Sequence, residues 1–261
     1  MHVIDAHIHL DLYKEEERAQ LLSTLGPGVR GMITVSMNLV SCKMNQTLAT
    51  QFPGLIFPAY GYHPEQAIPG TAEEQELFKW IEANHNGIAA VGEVGLPYYN
   101  RKEAESKGEP FALIPYINLL EKFVWLAKKL DKPIVLHAVY EDAAIAVDLL
   151  EMYRWKKAHF HWFKGNEQIT DRMVENGYLF SVTPDVVYAE EIQNLVRQVP
   201  LEQLMVETDG PWPFEGPFEG RMTHPDMIGE SVLCMAGIKK KPVSETADVL
   251  LNNTIRFYRL V

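Results

Sequence analysis

Only two cysteines, Cys42 and Cys234, occur in the 261 residues of this chain. With no partners at zinc-finger spacing they exclude a disulfide-stapled framework and a cysteine-rich structural zinc site, and they fit free thiols in a reducing compartment. Positive charge is also scarce: 24 Lys and Arg face 35 Asp and Glu, for a formal net charge of −11. That balance supplies no general basic surface, so extended nucleic-acid binding by counterion release is excluded, and with it a packaging role. Long apolar runs are missing too, since no window approaches the roughly 20 apolar residues of a membrane-spanning helix. No basic stretch followed by an apolar one precedes the alternating segment that begins at Met1, so the expected location is cytoplasmic. An enzyme acting on one phosphoester survives these exclusions, because bound divalent cations supply positive charge locally.

What is present is a regular alternation. Short apolar runs at 3–6, 31–35, 55–60, 88–92, 133–137, 157–161, 178–182 and 203–207 are separated by longer amphipathic stretches. The clearest of these spans 116–130, where Ile117, Leu120, Val124 and Ala127 recur at helical spacing. Eight strand–helix units predict an α/β protein built as a closed (β/α)8 TIM barrel. No linker, repeat or low-complexity run divides the chain, so residues 1–261 read as one domain. The connections 96–110 and 210–225 each follow a predicted strand and belong on the barrel's C-terminal face, where they are the expected specificity elements. Gly26-Pro27-Gly28-Val29-Arg30-Gly31 has dinucleotide-binding spacing, but it leads from a helical stretch into a strand, the reverse of the required order, and reads as a turn.

Asp5, His7 and His9 share parity on the first strand and are expected on one face. Glu93 follows the predicted fourth strand, His137 and His161 end the fifth and sixth, and Asp209 lies just past the eighth. Each is expected inward, above Val91, Val135, His159 and Met205. Six such groups, His7, His9, Glu93, His137, His161 and Asp209, read better as converging ligands than as separately buried polar side chains. Nitrogen and oxygen donors without thiolate suit Zn, Mn, Mg, Ni or Co. The set exceeds what one tetrahedral ion needs, so two ions are expected, with Glu93 between the two histidine pairs as their bridge.

Other polar candidates have plainer readings. His63, in the turn after the third strand, is expected to be functional, whereas His159 reads as a hydrogen-bonded core residue and His2 and His85 as incidental. His224 anchors its loop or contacts substrate. Glu207 and Asp5 are expected to orient ligands or waters. Trp212, Phe214 and Phe218 read as loop packing in preference to base stacking, and Lys102, Lys107, Lys164 and Arg221 are the candidates for a positive rim.

Taken in order, the segments Asp5-Ala6-His7-Ile8-His9-Leu10-Asp11, Gly61-Tyr62-His63-Pro64, Gly92-Glu93-Val94-Gly95-Leu96, Val135-Leu136-His137, His161-Trp162-Phe163-Lys164-Gly165 and Glu207-Thr208-Asp209-Gly210-Pro211 resemble the TatD family of metal-dependent hydrolases, within the amidohydrolase-like barrels. The likeness covers nearly the whole chain. It implies one metal held by His7, His9, Glu93 and Asp209 and a second held by Glu93, His137 and His161. It further implies a phosphodiesterase, often a deoxyribonuclease, in which a metal-activated hydroxide attacks phosphorus, Asp209 is the general base and His63 contacts the phosphate or leaving group. The implied substrate is a DNA end or a small phosphoester.

The sequence departs from the family's pattern at Pro97, where an Asp is usual, at Ala138-Val139, where Ser-Arg is frequent, and across Arg221-Met222-Thr223-His224-Pro225. The ligand positions are intact while substrate-facing ones differ. The alternative is therefore an amidohydrolase acting on a small amide or lactone, and from a different class a metal-binding partner without turnover. Many related barrels carry a carboxylated lysine where Glu93 stands, which favours the TatD-like reading.

Overall fold

The computed structural model describes residues 1–260. Within them the apolar runs form strands β1 (Val3–Ile8), β2 (Val29–Thr34), β3 (Ile56–Tyr60), β4 (Ala90–Gly95), β5 (Ile134–His137), β6 (Ala158–Phe160), β7 (Leu179–Val182) and β8 (Leu204–Val206). They pair parallel in sequence order, as crossover connections require. The helices are α1 (Glu15–Thr24), α2 (Leu39–Gln51), α3 (Thr71–Asn84), α4 (Tyr98–Ser106), α5 (Ile114–Leu130), α6 (Asp142–Met152), α7 (Glu167–Glu175), α8 (Glu190–Gln198), α9 (Ile228–Lys239) and α10 (Val243–Tyr258). The result is the expected (β/α)8 barrel. Its seam closes just beyond β8, where Asp209 N donates to the His7 carbonyl at 2.9 Å and His9 N donates to the Gly210 carbonyl at 2.8 Å.

Local chemistry explains the helix ends. The Asn38 side chain accepts from Val40 N and Ser41 N to start α2, and Asn166 accepts from Ile169 N to start α7. The helix predicted over 116–130 is α5, which ends on Asp131 in the left-handed conformation at φ 54° with Lys128 and Lys129 in its last turn. Its Leu120, Phe123, Val124 and Ala127 are buried against the barrel wall. Each large apolar side chain buried this way contributes about 1.5–3 kcal/mol. The charged connection 96–110 folds largely as α4.

Inside the barrel, Ile33, Val35, Ala59, Ala90, Val135 and Met205 form an apolar floor, sealed below by Tyr258 of α10. The polar residues stand above it. Two strand irregularities correct the expected parity. In β1, Asp5 pairs with Met32 and Ile8 with Thr34, so an extra residue is accommodated and Asp5 parts company with His7. In β4, a register shift lies between Val91 and Val94, so Ala90 joins the interior floor while Val91 packs outward, and Glu93 lies within the strand rather than after it. Two glycines permit the close approach this needs: a Cβ on Gly61 would lie 2.6 Å from the Glu93 carbonyl oxygen, and one on Gly95 would collide with that of His137. Among the described residues no helix is long and apolar enough to cross a membrane.

Candidate metal centre

β1 and its end deliver His7 and His9, β4 delivers Glu93, and the closing seam delivers Asp209. Glu93 Oε2 lies 3.1 Å from Nε2 of both His7 and His9. Asp209 Oδ1 lies 3.3 Å from the first nitrogen and 3.5 Å from the second, and the two nitrogens are 3.4 Å apart. A tetrahedral ion with ligands at about 2.0–2.1 Å separates those ligands by about 3.3 Å. The four atoms therefore have the spacing of a ligand cage. Glu93 Oε2 and Asp209 Oδ1 are buried without a hydrogen-bond partner, as is fitting for atoms that meet a cation.

The other oxygen of Glu93 faces a second group. Its Oε1 lies 2.7 Å from His161 Nε2, 3.1 Å from His137 Nδ1 and 3.4 Å from His63 Nε2. His137 Nδ1 and His161 Nε2 are 3.2 Å apart. The geometry thus gathers all six expected ligands, and it brings His63 into the same cluster. The donor chemistry, nitrogen and carboxylate oxygen, fits a divalent cation.

Electrostatics reinforce the arrangement. Burial pushes the Glu93 carboxyl up, but His161, His63 and His7 overcome it and hold it well below its usual value. Burial pushes the Asp209 carboxyl up, but the neighbouring His7, His161 and His9 overcome it and hold it below its usual value. Burial and the neighbouring His161 pull His7 down, yet Glu93 and Asp209 raise it to about 9. Burial instead lowers His63, which remains neutral. Since Glu65 N donates to His63 Nδ1 at 3.1 Å, the His63 proton resides on Nε2.

The remaining candidates sort cleanly. His159 sits below the cluster, with Nδ1 2.6 Å from the Tyr258 hydroxyl and Nε2 2.5 Å from Ser181 Oγ, which is the expected core role. Asp5 bonds backbone: its carboxylate accepts from His7 N at 3.2 Å and Thr208 N at 3.0 Å and so locks β1 to the seam. Glu207 accepts from Trp162 N and Ser181 Oγ, and its approach to His161 Nδ1, 3.7 Å, is longer than a hydrogen bond. His224 anchors its loop, accepting from Asp226 N and facing Thr24. The His85 ring bonds the Glu82 carbonyl, and His2 is exposed. Phe214 and Phe218 are buried with Met227 as loop packing, whereas Trp212 stays half-exposed.

Above the cluster opens a cavity of about 490 Å³ lined by His9, His63, Glu65, Tyr99, Asn100, His137, Val139, His161, Trp162, Asp209, Trp212 and Pro213. Glu65 is the residue that sequence reasoning missed. Its carboxylate accepts from Tyr99 N and Asn100 N, both at 2.8 Å, and lies 3.3 Å from His137 Nε2. It thereby caps α4 and touches a candidate ligand at once. Its position two residues after His63 was the available signal, but an acid in a polar turn has no distinctive pattern.

Residues 4–259 match the family described as TatD related DNase. The chain belongs to that family. A Haemophilus influenzae relative called an uncharacterized metal-dependent hydrolase is 38% identical over 99% of this chain and 100% of its own length. A human relative, named deoxyribonuclease TATDN3, is 26% identical over 98% of this chain and 94% of its own. Among solved structures, a TatD homologue from Escherichia coli is 25% identical, covers 99% of this chain and 98% of its own, and superposes with a TM-score of 0.82. Family membership places this TatD chain among metal-dependent hydrolases, in accord with a buried cluster able to hold metal.

Proposed function

We propose that the chain is a phosphodiesterase with two divalent cations, one held by His7, His9, Glu93 and Asp209 and the other by Glu93, His137 and His161. The observation that carries this reading is the division of labour within one carboxylate: Oε2 of Glu93 faces one pair of imidazoles and Oε1 the other. When bound, the cations would lower the pKa of water and neutralise charge developing on phosphoryl oxygens. Family membership and the relative named as a deoxyribonuclease support phosphoester chemistry.

The chain's own residues supply the proton handling. Asp209 is ionised and lines the cavity, so it serves as the base that takes a proton from the attacking water. The water oxygen bonds to phosphorus as the bond to the leaving oxygen breaks, and the proton passes through Asp209 to that oxygen. His63 presents its Nε2 proton as a donor toward the phosphate or leaving group. The phosphoryl substrate is a DNA end or a small phosphoester.

The test measures metal per chain by mass spectrometry, then product release from bis(para-nitrophenyl) phosphate, single-stranded DNA, and a panel of amides and lactones. The expected result is two ions and phosphodiester turnover. Cleavage of an amide or lactone with no phosphoester turnover would replace this reading by amidohydrolase chemistry, and a fully loaded protein inert toward every class would leave a metal-binding partner.

A further inference from the structure

Of the four cations that a sequence reading offers to a phosphate backbone, two are taken up by ion pairs and two stand beside aromatic rings, one of them Trp162 at the opening. Lys102 pairs with Glu141 at 2.6 Å and Glu105 at 3.2 Å, and Lys107 pairs with Glu103. Lys164 stands 4.4 Å from the centre of the Trp162 ring, and Arg221 stands 5.6 Å from that of Phe218. Arg101, also in α4, is taken up by Asp142 at 2.6 Å, Glu105 at 3.1 Å and Glu141 at 3.5 Å. Among the described residues no Lys or Arg lines the cavity, and Glu65 adds a negative charge to its wall. Within the cavity a second or third phosphate would find no Lys or Arg partner.

Instead, aromatic rings from three separate connections reach the opening: Tyr99 from α4, Trp162 from beyond β6 and Trp212 from the long connection after β8. Their attachments are fixed. Glu65 holds Tyr99 N, and Asp185 Oδ2 accepts from Trp162 Nε1 at 2.6 Å. Trp212 N donates to the Asp209 carbonyl at 3.2 Å, and the Trp212 carbonyl accepts from Thr223 Oγ1. Yet Tyr99 is 47% exposed and Trp212 49% exposed, so a ring can be presented without reorganising the backbone beneath it.

Resting on the phosphodiesterase reading above, we propose that this mouth takes a nucleotide-sized phosphodiester carrying one aromatic, base-sized group, with Trp212 as the stacking platform and no subsites for further phosphates. The cavity volume suits one such group beside the phosphate. Stacking tolerates any base, because each has a π-face, while a cavity lining without Lys or Arg selects against chain length.

The test uses the metal-loaded full chain in two arms. In the first, kcat/KM is compared for the para-nitrophenyl phosphodiester of thymidine and for oligothymidylates of increasing length. The expected outcome is a plateau from the dinucleotide onward with weak salt dependence; a steady climb with length and a steep salt slope overturns the proposal. In the second, titration calorimetry follows thymidine monophosphate and inorganic phosphate. Trp212→Ala is expected to weaken thymidine monophosphate about tenfold and leave phosphate binding unchanged, with Trp212→Phe restoring most of the loss. Equal affinities for thymidine monophosphate in wild type and Trp212→Ala overturn it. Loss of all phosphoester turnover in loaded protein strikes the phosphodiesterase reading instead, because the calorimetric arm needs no turnover.

Discussion

Glu93 Oε1 lies 2.7 Å from Nε2 of His161, a contact that links the fourth and sixth strands across the top of the barrel. Because the opposite oxygen of the same carboxylate meets His7 and His9, Glu93 joins the two halves of the cluster. Glu93→Ala is therefore expected to lose metal from both halves together with activity, while Glu93→Gln retains volume but binds metal far more weakly. Metal content per chain checks this, and full occupancy in the alanine variant would sink the bridging role. Chelation of the wild type should lower its melting temperature, since a ligand present at a hundredfold over its dissociation constant stabilises by about 2.7 kcal/mol.

Asp209 has a different dependence. On the proposed reading it shares its cage with three other ligands and is the group placed to accept a proton. Asp209→Asn is expected to keep part of its metal while turnover falls by roughly 10²–10⁴-fold, the range for removal of a general base. Parallel measurement of occupancy and kcat separates the two effects. Near-normal turnover would rule out the base assignment.

Glu65 joins α4 to His137 through one side chain. Glu65→Ala removes a cap from Tyr99 N and Asn100 N and should cost roughly 0.5–2 kcal/mol, by analogy with N-cap deletions. Faster hydrogen exchange confined to the start of α4 is the expected local sign. If His137 ligates as proposed, loss of the carboxylate beside it should also weaken metal binding about 10- to 100-fold. Unchanged exchange and affinity would show that this contact does neither.

Asp185 gives a pH prediction. Burial raises its carboxyl to about 6, against the hydrogen bonds from Thr183 and Trp162 that pull it down. The folded protein thus binds a proton more tightly than the unfolded chain, so this group's contribution is fully present below its ordinary value of 3.8 and is lost as pH rises through about 6. A shift of this size corresponds to at most about 3 kcal/mol. Asp185→Asn can still accept from Trp162 Nε1, and its stability should show a flatter slope across that window in urea unfolding. An unchanged slope would assign the pH dependence to other groups.

How much of this was legible beforehand follows from periodicity. Apolar runs of period two and amphipathic stretches of period 3.6 specify eight strand–helix units, and strand ends in such a barrel point at its C-terminal face. That reasoning located His137, His161 and Asp209 well. It misplaced Asp5 and Val91, because parity assumes a regular ladder and both β1 and β4 carry register shifts. Glu65 and the open face of Trp212 escaped it for another reason: their roles come from neighbours distant in the chain.

The sequence by itself determined the barrel, the donor types at its mouth and the scarcity of positive charge, since each depends on local pattern or composition. Only the tertiary structure decided which oxygen of Glu93 faces which imidazoles, that Asp5 serves the backbone, and that among the described residues no Lys or Arg lines the cavity. Those facts are distances between groups far apart in sequence. They follow from how strands slip and loops cross in three dimensions, which no one-dimensional spacing encodes.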